Sequence, residues 1–260
     1  MSKIAIANWK MNLSQQESVA LGEELAAKMA VEPLAGVEVA VCPSFTALAA
    51  VKAVLGVNLP AGGQAIALGA QDVFWEEKGA FTSGISPQML KEVGCQYTLI
   101  GHSERRQNMG ETDEMVNRKV LAAVKADLIP VICVGETWEE RQAGQQDLAI
   151  ARQVAAALRD LKSEDIKKII IAYEPVWVIG TGQAITPEQA LYAVKVIRQQ
   201  VGEGLGMEIL SEKLQVLYGG SVSSNNVADF TGQDEIDGVL VGNKGLKVVD
   251  FYPLLQKIVA

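Results

Sequence analysis

The chain has 260 residues, 49% of them hydrophobic and 21% charged, enough apolar content for a sizeable core that needs no staples. Its net charge of -8 argues against a nucleic-acid footprint, because the largest basic clusters are the pairs Arg105-Arg106 and Lys167-Lys168. A membrane span is also excluded: the longest uncharged stretch, 53–71, is broken by Asn58, Pro60 and Gly62-Gly63 and reads as helix end, loop and strand.

In chain order, short β-branched runs alternate with helical patterns, and eight such units can be counted. The start, MSKIAIANWKMN, lacks a signal h-region and a small-residue cleavage site, so nothing in it directs secretion. The strands are expected at 4–8, 37–42, 66–70, 97–101, 129–134, 169–173, 214–218 and 238–241. Most are apolar on both faces, as parallel strands covered by helices should be. Ser14 with Glu17 makes a capping box, and Thr186-Pro187 with Gln189 makes another. Gly56 and Gly94 sit where helices should end on a C′ glycine. Cys42, Cys95 and Cys133 are odd in number and far apart, which fits buried, reduced thiols in a cytoplasmic protein better than disulfides or a zinc site.

Strand followed by helix eight times, with no linker between, is the pattern of a closed (β/α)₈ TIM barrel forming a single domain over 1–260. Periodicity does not show closure, so a doubly wound open sheet is the alternative. On a barrel, active sites are assembled from the loops after the strands. Those loops hold the unusual residues: Asn8 to Asn12 after the first strand, Gly101 to Arg106 after the fourth, Gly135-Glu136 after the fifth, and Glu174 after the sixth. Tyr218-Gly219-Gly220-Ser221 follows the seventh and Gly242-Asn243-Lys244-Gly245 the eighth.

Three residue types on that rim point to chemistry. Glu174 ends a buried strand ahead of Pro175 and Gly180-Thr181-Gly182, a carboxylate at the root of a lid with two hinges. His102 is the only histidine, and it opens a polar turn toward a helix whose N-terminus disfavours the charged imidazole. Lys10 can stabilise negative charge developing on a substrate oxygen. The glycines of the last two loops stand where this fold commonly binds phosphate.

These residues lie in ordered motifs: NWKMN from Asn8, GAFT from Gly79, IGHSERR from Ile100, YEPVW and IGTG around the lid, YGGSV from Tyr218 and DGVLVG from Asp237. Together they resemble the triosephosphate isomerase family over essentially the whole chain. The resemblance implies interconversion of dihydroxyacetone phosphate and glyceraldehyde 3-phosphate, in glycolysis and gluconeogenesis, with no metal or other cofactor. It makes Glu174 the base that moves a proton through an enediolate, His102 a neutral electrophile, Lys10 a fixed positive charge and Asn8 a substrate-orienting donor. Phosphate contacts fall to backbone N–H groups at Gly180, Ser221, Gly242 and Asn243. Supporting roles go to Ser103, which holds Glu174 when the lid is open, to Glu104 near Lys10, to Glu136 meeting Trp177, and to Tyr218.

Three departures from the family pattern stand out. Asn243, Lys244 and Gly245 replace a GGAS-like loop, where Asn tolerates left-handed backbone and Lys244 adds charge. Val178 replaces an alanine in the lid. Thr82-Ser83-Gly84 stands for TGE, the loop that in relatives inserts into a neighbouring subunit, which removes one acidic partner and leaves Arg105 to find another. The resemblance thus implies a homodimer with an altered interface there. The competing readings are another phosphate-binding barrel enzyme and a barrel kept only for binding.

Overall fold

Eight short apolar runs become β1 (Lys3–Asn8), β2 (Val37–Cys42), β3 (Ala67–Ala70), β4 (Tyr97–Ile100), β5 (Ile129–Val134), β6 (Ile170–Tyr173), β7 (Gln215–Tyr218) and β8 (Gly238–Val241). The computed structural model describes residues 2–56, 65–179, 184–205 and 214–259. Each strand pairs in parallel with the next, and β8 returns to β1 with Ile4 opposite Gly238 and Ala7 opposite Val241. The barrel is therefore closed, and the open-sheet alternative falls. Gly238 is what permits closure at this point, since a Cβ there would stand 1.8 Å from the Ile4 carbonyl oxygen. The expected strand bounds hold to within one residue.

The helices that cover the barrel are α1 (Gln15–Val31), α2 (Leu48–Leu55), α3 (Pro87–Val93), α4 (Ser103–Met109), α5 (Asp113–Lys125), α6 (Trp138–Gln142), α7 (Gln146–Leu158), α8 (Pro187–Leu205), α9 (Val227–Thr231) and α10 (Val248–Val259). Two crossovers carry an extra short helix, α4 and α6, which the periodicity did not separate from α5 and α7. The Ser14–Glu17 box forms in both directions, as does the Thr186–Gln189 pair. Gly94 ends α3 in the left-handed region, φ 90°. Gly56 does not: it ends α2 at φ -111°, so the expected left-handed cap is corrected to an ordinary turn. No helix among the described residues is long and apolar enough to cross a membrane.

Alternation along the strands divides the core in two. Ile4, Ile6, Tyr97, Leu99, Val131, Cys133, Ile170, Ala172, Leu217 and Leu240 fill the barrel interior, while Ala5, Val39, Val41, Ile132, Ile171, Val216 and Val239 pack outward under the helices. That phase decides what stands above the interior. Asn8 continues Ile4 and Ile6, Glu174 continues Ile170 and Ala172, and Gly135, Gly219 and Gly242 continue β5, β7 and β8. The three cysteines are buried and free. Burial pushes the Cys95 thiol up to about 12 and raises Cys42 and Cys133 as well, so all three remain thiols at neutral pH.

Candidate active site

A cavity of about 450 Å³ opens over the C-terminal ends of the strands. Asn8, Lys10, His102 and Glu174 line one side of it, and Ser221, Gly242, Asn243 and Lys244 the other. Residues drawn from five strand ends thus meet in one space. Gly180, expected to contact phosphate, lies outside the described residues, as do Thr181, Gly182 and Gln183.

His102 is the N-cap of α4, and its Nδ1 accepts the Glu104 amide at 3.2 Å. The neutral imidazole must then carry its proton on Nε2. Nε2 lies 3.0 Å from Oε1 of Glu174, and the Ser103 amide donates to Oε2 at 2.9 Å. Ser103 therefore acts through its backbone, with its hydroxyl uninvolved in this contact. Glu174 is 2% exposed. Burial pushes its carboxyl up, but His102, the Ser103 amide and Lys10 outweigh burial and hold it below the usual carboxylate range. Burial pushes His102 down, but the charge and hydrogen bond of Glu174 together with the Glu104 charge more than offset it, so the net shift is upward. The helix terminus is expected to disfavour the charged ring; the Glu104 amide does meet Nδ1, but the net shift is upward, toward the charged form.

Lys10 is held at φ 52°, a left-handed backbone that a lysine rarely adopts. Its amide donates to Asn8 Oδ1 at 3.0 Å, and Gln71 Nε2 donates to its carbonyl at 2.8 Å. Nζ reaches Glu104 Oε1 at 2.5 Å. Asn8 Oδ1 is thereby engaged, leaving Nδ2 as the side chain's donor.

Behind the cavity, Glu136 is fully buried and accepts from Trp177 Nε1 at 2.9 Å, Arg141 Nη1 at 3.0 Å and the Tyr173 hydroxyl at 3.1 Å. The Arg141 guanidinium also covers the Trp177 ring, 4.7 Å from its centroid. Tyr218 is buried with its ring stacked on Phe230 at 4.1 Å. Val178 closes a 3₁₀ turn, Val176–Val178, and is 1% exposed in the outer core.

Two sequence expectations change on the phosphate side. Asn243 begins the 3₁₀ turn Asn243–Gly245 and needs no left-handed backbone. Lys244 lines the cavity but its Nζ is 3.1 Å from Asp250 Oδ1, so its charge is already paired. Arg105, expected to find another partner in place of the missing acid, has two within its own chain: Asp72 at 2.8 Å and Glu111 at 2.5 Å. Lys119, 3% exposed, joins the same two carboxylates at 2.6 and 2.9 Å. Glu111 also accepts the Gly101 amide at 3.3 Å, while Arg106 donates to the Gly101 carbonyl at 2.8 Å, fixing the turn that presents His102.

Sequence reading passed over the walls around Glu174. A Cβ on Gly135 would lie 1.7 Å from the Glu174 carbonyl oxygen, and one on Gly219 would lie 3.0 Å from Glu174 Cγ. Both glycines are in phase with the interior, a signal that could have found them. Asn225 and Asn226 also line the cavity, and nothing in a lone Asn pair marks them.

The class this arrangement defines is a (β/α)₈-barrel enzyme whose centre pairs a carboxylate with an imidazole beside a lysine. The family model described as Triosephosphate isomerase matches residues 3–258. A triosephosphate isomerase of Caldanaerobacter subterraneus subsp. tengcongensis is 46% identical over 257 residues, covering 97% of this chain and 98% of that protein. Those of Pelobacter propionicus and Dictyoglomus turgidum are 46% and 43% identical, over 96% and 98% of this chain and 96% and 98% of their own lengths. The chain belongs to the triosephosphate isomerase family, and it is an isomerase.

Proposed function

We propose that this enzyme interconverts dihydroxyacetone phosphate and D-glyceraldehyde 3-phosphate. The observation that carries the reading is the contact of Glu174 with His102 at 3.0 Å, on a cavity that Lys10 and the loops after β7 and β8 also line. Glu174 takes a proton from the carbon next to the carbonyl, and the C–H electron pair moves toward the carbonyl oxygen to give an enediolate. His102, with its proton on Nε2, donates to the oxygens and moves a proton between them. Lys10 and Asn8 Nδ2 face the developing negative charge. Glu174 then returns its proton to the neighbouring carbon. No atoms are gained or lost over the cycle.

For this chemistry the carboxylate must leave Nε2 and the Ser103 amide and reach the substrate, so the Glu174–His102 contact belongs to the resting enzyme. Departure of Glu174 removes the larger of the two carboxylate charges that raise His102, so burial, Lys10 and the Glu104 amide on Nδ1 favour the neutral imidazole against the remaining Glu104 charge. Closure of the lid excludes water and suppresses phosphate loss from the enediolate. Ser221, Gly242 and Asn243 hold the phosphate through backbone N–H groups, together with Gly180. The chain works as one domain in the cytoplasm. It pairs with a second copy around the exposed Phe81, beside a cavity that Phe45, Thr82, Ser83 and Gly84 line.

A coupled assay of glyceraldehyde 3-phosphate isomerisation, run beside Glu174→Gln, tests the reading. Activity in the parent and its near-complete loss in the variant are expected. An inactive parent overturns the substrate assignment, and equal activity in the variant rejects Glu174 as base. Sedimentation at micromolar concentration tests the dimer, which a purely monomeric species would sink.

A further inference from the structure

The β5–β6 ladder runs past its assigned end. Glu174 donates its amide to the Val134 carbonyl at 2.8 Å, and Val176 donates to the Glu136 carbonyl at 3.2 Å. Gly135 lies between those two acceptors, so its own N–H and C=O point to the opposite edge, where β4 has already ended. A buried peptide group there needs partners. Both come from one side chain: Gln153 of α7 accepts the Gly135 amide on Oε1 at 2.9 Å and donates Nε2 to the Gly135 carbonyl at 3.0 Å. Gln153 is 5% exposed, and a side-chain amide here completes the sheet in place of a strand.

Gly135 in turn is the surface on which Glu174 rests, since even a Cβ on it would sit inside the Glu174 peptide. We infer that Gln153 is a positioning residue for the isomerisation, a two-bond clamp that fixes Gly135 and through it the backbone from which the Glu174 carboxylate projects. This rests on the proposed role of Glu174. Loss of the clamp lets the Gly135 peptide rotate toward other partners, and a displacement of the base by a fraction of an ångström lowers the rate without changing the phosphate contacts.

The test compares Gln153→Met, which keeps the volume and removes both hydrogen bonds, with Val154→Ala, which opens a cavity next to it on α7 and leaves both Gln153 hydrogen bonds in place. In Gln153→Met, kcat should fall about tenfold or more with KM within about twofold, and the Gly135 amide should lose hydrogen-exchange protection. Val154→Ala should lower the melting temperature yet leave kcat and that protection unchanged. A kcat within twofold of the parent in Gln153→Met, or an equal kcat loss in Val154→Ala, overturns the inference. Retained Gly135 protection in Gln153→Met overturns the clamp itself. If the parent fails to isomerise the triose phosphates, the catalytic reading is lost and the positioning role falls with it, while Gly135 protection still reports the clamp.

Discussion

Nε2 of His102 stands 3.0 Å from Oε1 of Glu174, so the two groups that the proposed reaction uses on different atoms of one substrate are in contact before substrate arrives. Each sets the other's protonation. Burial and Lys10 push the imidazole down, while the Glu174 carboxylate, with a smaller contribution from Glu104, raises it. The Glu104 amide on Nδ1 opposes a second ring proton as well.

His102 is the only histidine, so its ring protons are assignable without ambiguity in an NMR titration. Replacing Glu174 by Gln should move the imidazole midpoint downward, below the ordinary histidine value of about 6.5. Identical midpoints in parent and variant would show that the contact carries no electrostatic weight. The sign for stability follows from the two directions. A histidine raised by folding contributes stability that is fully present below its ordinary value and is lost as pH rises through the raised one. The depressed Glu174 contributes above the ordinary carboxylate value and is lost as pH falls through its lowered one.

A second test concerns the buried charges behind His102. Lys119 is shared by Asp72 and Glu111, with Arg105 on their other side. Burial pushes both carboxyls up; in Glu111 the two cations more than offset it, whereas Asp72 stays raised. Lys119→Met leaves two buried carboxylates with one cation, and unfolding in urea should show a loss of about 3–5 kcal/mol. A loss below about 1 kcal/mol would mean that Arg105 and water replace the lysine.

Much of this could be read from residues alone, and the parts that could not share a physical cause. Strands, closing loops and the chemistry-bearing side chains announce themselves by alternation and by polar residues at strand ends, as Ile170, Ala172 and Glu174 do. Side-chain pairings set by the folded geometry do not. The Arg105 partners are 33 residues before it and six after it, and Lys244 turns to Asp250. The missing TGE acid leaves Arg105 in need of another partner, but the sequence pattern holds no record of which carboxylates fold beside it. The Gln153 clamp escaped notice for the same reason, since Gly135 is 18 residues away.

Gly219 offers a test of how little space Glu174 has. A Cβ there would stand 3.0 Å from Glu174 Cγ and 3.1 Å from the Tyr173 carbonyl oxygen, so one of them must give. Gly219→Ala should fold, because no left-handed backbone is required of it, but kcat should fall by about tenfold, equivalent to roughly 1.4 kcal/mol. An unchanged kcat would show that the carboxylate keeps its place when crowded.

The charge of Lys244 is turned toward Asp250 at the cavity's rim, both side chains half in water. A pair so exposed contributes little to either partner. Lys244→Ala should therefore change the inhibition constant of inorganic phosphate by less than about twofold, equivalent to roughly 0.4 kcal/mol. A fivefold weakening would return the lysine to the phosphate site.

Val178 stands in the lid stretch after Glu174, and its burial decides what the side chain does there. At 1% exposed within the outer core, its two methyl groups face protein and not the cavity, which they do not line. Val178→Ala should therefore cost about 1.5–2 kcal/mol of stability in urea unfolding, the transfer of two buried carbons. The reaction should change less, since the turn Val176–Val178 is also held by Trp177 on Glu136 and by the Val178 amide on the Pro175 carbonyl at 3.0 Å. A kcat within tenfold of the parent is the expected outcome. A larger change with little loss of stability would place Val178 in the balance between open and closed lid, and its packing would then matter to motion more than to the core.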